Sequence, residues 1–91
     1  MGIKINIFYP RLKQLIKEPD LVEVTGSNVG ECLNDLTRQF PGTEQWLFNE
    51  QGQLLRHVYI YVNAESGYKA DLAAPTKEGD ILIIAALITG G

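Results

Sequence analysis

A chain of 91 residues holds one domain and no second core, and its 45% hydrophobic content suits a packed core rather than a disordered tail. The net charge of −3 contains eight basic residues spread between positions 4 and 77, with no like-sign cluster. That spacing gives no basic stripe, which excludes nucleic acid as the partner, and a mildly acidic body suits docking onto positively charged partners.

Ile3, Ile5 and Ile7 alternate with Lys4, Asn6 and Phe8, the period-two pattern of a half-buried strand, and Pro10 stops it. A polar stretch over 11–20 leads to a second short strand over 21–25, with Val22 and Val24 on one face and Gly26-Ser27 as its break. The strongest helix signal follows. Asn28 can cap, and Glu31 three residues later completes a capping box. Val29, Cys32, Leu33, Leu36 and Phe40 then fall at offsets 0, 3, 4, 7 and 11, one apolar stripe ended by Pro41-Gly42. Trp46, Leu47 and Phe48 are expected in a short turn packed on the sheet, with a loop over 49–53.

Val58, Ile60 and Val62 alternate with Tyr59, Tyr61 and Asn63 as a third strand. Residues 72–79 read as loop and turn, punctuated by Gly79-Asp80. Residues 81–87 are apolar on both faces, as in a central strand paired on both edges. The predicted class is α+β, a mixed sheet wrapped over one main helix.

The single cysteine, Cys32, permits no internal disulfide. The opening MGIKINIFYP lacks the continuous apolar stretch of a signal peptide, and Asn6 stands where a myristoylation signal wants Ser or Thr. The apolar run over 81–88 is too short to cross a bilayer, so no membrane role is expected and the cytoplasm is the expected compartment.

The Asn28-Val29 helix start with Leu33 and Leu36, the YVN at 61–63 and the closing EGDILIIAALITGG resemble the MoaD/ThiS-type sulfur carriers. The resemblance runs over essentially the whole chain, more loosely over 11–20 and 49–56, and leans toward the MoaD-like and cysteine-forming carriers. It implies a β-grasp (ubiquitin-like) domain over 1–86 and a flexible tail over 87–91 ending in Gly90-Gly91. It also implies that the chain is not itself an enzyme but the substrate of a ubiquitin-activator-like adenylating enzyme. That partner uses ATP, so the chain binds no cofactor. A sulfur donor and a downstream sulfur-accepting synthase, such as molybdopterin synthase, complete the implied partners. One departure is visible. The family usually carries proline before the glycines and residues 85–89 have none, which implies a longer strand or a less extended tail.

The chemistry explains why glycines stand last. An α-carboxylate with a pKa of about 3.5 is ionised at neutral pH and is a poor electrophile. It carries sulfur only after activation, in this family as an acyl-adenylate that a sulfur donor converts to a thiocarboxylate. A thread without side chains threads a deep pocket best and leaves the carbonyl open to attack. Residues 86–91 span roughly 20 Å when extended, at about 3.3–3.6 Å per residue. The implied roles are therefore Gly91 as the acyl carrier, Gly90 as the access residue, and Leu87, Ile88 and Thr89 as contacts along the partner's channel. Strand alternation adds Phe8, Tyr59 and Tyr61 on the face opposite the core set, a candidate docking surface against the alternative that a loop covers them.

The remaining reactive residues have simpler readings. Cys32 sits on the helix's apolar face with no base beside it, as a structural thiol does. His57 beside Arg56 has no ligand-spaced partner, so no metal is expected. Trp46, Phe48 and Phe40 read as core. Two functions remain open: a sulfur carrier, and a ubiquitin-like modifier joined through Gly91 to lysines of target proteins. A plain interaction domain with an idle tail is the third, and the Gly90-Gly91 end speaks against it.

Overall fold

The computed structural model describes residues 2–17, 21–63 and 69–87. Strand β1 (Ile3–Phe8) buries Ile3, Ile5 and Ile7, and β5 (Ile81–Ala86) buries Leu82 and Ile84. The two run parallel at the centre of the sheet, Ile5 opposite Leu82 and Ile7 opposite Ile84. Strand β2 (Leu21–Val24) pairs antiparallel with β1, and β3 (Val58–Val62) pairs antiparallel with β5. A two-residue strand, β4 (Lys69–Ala70), closes the far edge, giving the order β2-β1-β5-β3-β4. The continuous apolar run thus falls on the middle strand of the five, as expected.

Helix α2 (Val29–Gln39) packs its stripe of Val29, Cys32, Leu33 and Leu36 into the core beneath the sheet, while Phe40 caps the helix half-buried. Its start is held by side chains. Asn28 Oδ1 accepts from the Glu31 amide at 2.8 Å, and the Glu31 carboxylate accepts from the Ser27 amide and hydroxyl at 2.8 and 2.9 Å. The expected capping box therefore closes one residue earlier than the standard motif, on Ser27. These two bonds hold the Glu31 carboxyl below its usual range. The free edge of β2 is masked from α2, where Gln39 Nε2 donates to the Glu23 carbonyl and Asp35 accepts from the Thr25 amide.

Two elements were not expected from the sequence. Pro10 ends β1 but also opens helix α1 (Pro10–Leu15), where its fixed φ and missing N–H cost nothing at the first helical position. Leu12 and Ile16 are buried from this stretch, so the supposed polar connection contributes to the core. The Trp46 turn is a short 3-10 segment (Glu44–Trp46), with Leu47 fully buried and Trp46 half-buried beneath the Arg11 guanidinium, 5.1 Å from its ring centroid. The second unexpected element is β4.

The connection into β5 is locked by polar groups. Asn63 adopts φ 63°, a left-handed conformation that Asn tolerates better than other residues with a side chain. Its Oδ1 accepts from the Ile81 amide at 3.0 Å and its Nδ2 donates to Asp80 Oδ1 at 3.1 Å. Asp80, buried, takes a further bond from the Lys77 amide, and Gly79 at φ 90° makes the turn before it. Asn63→Ala is expected to lower stability by about 1–3 kcal/mol, because it strands Asp80 and places a side chain without a local partner at positive φ. Urea unfolding checks this, with Asn63→Gly losing less because glycine removes the backbone cost. The whole is a five-stranded mixed sheet over one main helix, the β-grasp, ubiquitin-like arrangement.

Candidate functional site

The pleat sends every second residue of the sheet away from α2. With Ile5, Ile7, Val58 and Ile60 buried beneath, the outer face carries Phe8 at 59% exposure and Tyr59 and Tyr61 half-buried. Register places them in rows. Phe8 lies opposite Ala85, which lies opposite Tyr59. In the next row Asn6, Ile83, Tyr61 and Lys69 follow one another across four strands. Phe8 and Tyr59 thus stand two strand spacings apart, about 10 Å, with only a methyl group between them.

Charged groups stand at the margins of this face. Lys4 opposes Ile81 on one side, and on the other the Lys69 ammonium lies 4.9 Å from the Tyr59 ring centroid. Glu31 and Asp35 belong to α2, behind the sheet. The aromatic face is apolar, with Lys69 at one margin and Lys4 opposite Glu23 at the other.

At one end of this face the chain leaves the sheet. Ala86 is opposite Val58, and one residue further the Leu87 amide donates to the His57 carbonyl at 2.8 Å. One main-chain hydrogen bond thus reaches past the end of β5 into the predicted tail. Leu87 itself is 56% exposed. The other expected tail residues, Ile88, Thr89, Gly90 and Gly91, lie outside the described residues. Beside this exit the His57 ring meets Tyr9, Nε2 to Oη at 3.1 Å, with the rings edge-to-face at 5.9 Å. Burial raises the Tyr9 phenol above its ordinary 10.0, against the opposing charge of Arg11.

No family model and no curated protein matches the sequence. Solved structures do match it, along nearly its full length. A chain of the BexX/CysO complex of Amycolatopsis orientalis is 29% identical with a TM-score of 0.81, over 99% of this chain and 100% of that one. SAMP1 from Haloferax volcanii is 26% identical with a TM-score of 0.82, over 98% of each chain. CysO of Mycobacterium tuberculosis is 25% identical with a TM-score of 0.78, over 96% of this chain and 100% of that one. The chain is thus a ubiquitin-like carrier protein similar to the MoaD/ThiS-type sulfur carriers.

Within this carrier the chemistry-bearing side chains are structural in setting. Cys32 is fully buried, and desolvation raises its thiol pKa despite a contact from Thr76 Oγ1 at 3.6 Å. Its thiolate is therefore suppressed. No helix among the described residues is long and apolar enough to cross a membrane. The sequence reading of the outer face omitted Ile83, Ile81 and Lys69. Ile83 was readable from the alternation with Leu82 and Ile84, because whichever residues face the core, their neighbours face out. Lys69 was not, because β4 is only two residues long and has no periodicity to detect.

Proposed function

We propose that this carrier holds its sulfur on the carboxylate of Gly91. In the partner's ATP site a Gly91 oxygen attacks the α-phosphorus, pyrophosphate leaves, and the acyl-adenylate forms. Hydrosulfide delivered by the sulfur donor then adds to the carbonyl carbon and AMP departs as the acyl C–O bond breaks, leaving a thiocarboxylate for a synthase that makes molybdopterin, cysteine or a similar product. The chain supplies the carbonyl and its approach: Gly90 offers no Cβ to obstruct the pocket, and Leu87, Ile88 and Thr89 line the partner's channel. Phe8, Tyr59 and Tyr61 dock the body of the carrier. ATP belongs to the ubiquitin-activator-like enzyme and the carrier holds no cofactor. The reaction belongs to the cytoplasm, where ATP is supplied.

The observation that carries this reading is the end-to-end likeness to a chain of the BexX/CysO complex, in a sequence that closes on Gly90-Gly91. A second reading has its own support, since a 26% identical neighbour is described as small archaeal modifier protein 1. In that case Gly91 would be joined to lysines of other proteins. The intact mass of the chain from its own cells separates the two. A species heavier by the difference between sulfur and oxygen at the C-terminus is expected for the carrier. Finding the chain only in isopeptide linkage to other proteins would overturn it.

A further inference from the structure

We infer that Tyr9 and His57 form a clamp that anchors the end of the last strand at Leu87, four residues before the reacting Gly91. This rests on the reading that the tail is the reacting end. In the sheet β5 lies between β1 and β3. Tyr9 follows the last residue of β1 and His57 precedes the first of β3, so their bond bridges the two strands that flank the exit of β5. Tyr9 is 2% exposed and caps the start of α1, so one end of the bridge is fixed in the core. His57 is exposed, and its ring is held by the Tyr9 hydroxyl and the edge-to-face contact. The same residue's carbonyl accepts the Leu87 amide, the furthest described hydrogen bond along the chain toward Gly91.

His57 therefore has two attachments of different kinds: its side chain to the core and its main chain to the tail. Loosening the ring frees the carbonyl, and the last anchored residue retreats from Leu87 to Ala86. A tail anchored at Leu87 enters a partner's channel with less freedom left to lose than one anchored earlier. The pair would act on the reaction by positioning, through the Leu87 amide that the His57 carbonyl holds.

Hydrogen exchange on the intact chain tests this, using Tyr9→Phe, His57→Ala and His57→Gln. Tyr9→Phe keeps the buried ring and removes only the hydroxyl. The Leu87 amide is expected to exchange about two- to tenfold faster in Tyr9→Phe and His57→Ala, the range of one net hydrogen bond. The amides of Ile5 and Ile84 should be unchanged. His57→Gln should restore protection, because its amide oxygen can accept from Tyr9 near the position of Nε2. With the adenylating enzyme from the same cells, the two loosened variants should raise KM for the carrier by a similar factor and keep kcat. Unchanged Leu87 exchange overturns the clamp. Equal acceleration of Leu87, Ile5 and Ile84 overturns it too, since the pair would then be merely structural, and so does faster Leu87 exchange with an unchanged KM. If the wild-type chain is not adenylated at all, the proposed function fails while the exchange result still decides the clamp.

Discussion

Removing Gly91, or adding one residue after it, is expected to abolish adenylation while leaving thermal unfolding where it was. The described core extends no further along the chain than Ala86, and the last described main-chain bond is that of Leu87 to His57. Shortening or lengthening the chain at position 91 therefore touches none of the contacts made among the described residues. The reacting carboxylate, in contrast, moves by one residue, about 3.5 Å. Displacements of roughly 1 Å already cost about a hundredfold in rate where attack geometry is demanding. Gly90→Ala should lie between the extremes, with activation impaired and stability unchanged, because the added methyl meets the partner's pocket. ATP-dependent pyrophosphate exchange with the adenylating enzyme, beside a thermal melt, reads both quantities. Full activity of the truncated chain would sink the assignment of the chemistry to Gly91.

The second large effect separates two adjacent residues. Ile60→Ala is expected to destabilise the domain by about 2–5 kcal/mol, a large share of the roughly 5–15 kcal/mol that such a domain possesses. Ile60 is fully buried opposite Ile84, under the sheet where α2 packs. Tyr61→Ala removes a half-buried ring from the other face, opposite Ile83 and beside Lys69. It should leave most of the stability and weaken binding to the activating enzyme or the synthase by about thirtyfold, equivalent to about 2 kcal/mol. Chemical denaturation and titration with the partner check the pair. Binding unaffected by Tyr61→Ala would move the docking surface off this face. A large stability loss at Tyr61 would show that the ring serves the fold.

Periodicity alone determined the three main strands, the facing of their residues, helix α2 and the central place of β5. Burial follows a repeat of two or 3.6 residues that each segment writes independently of its neighbours. The Asn28 cap was legible for the same reason, since donor and acceptor are three residues apart. The role proposed for the terminal glycines rests on the sequence, because it depends on an absent side chain rather than on packing. What the tertiary structure decided is long-range or too short to be periodic. Helix α1 has six residues, fewer than two turns, and its helical state is secured by Leu12 reaching the core. Asn63 and Asp80 meet across 17 residues, Tyr9 and His57 across 48. No local pattern couples such positions. Sheet order brings them together, because β1, β5 and β3 lie side by side only once the core is buried.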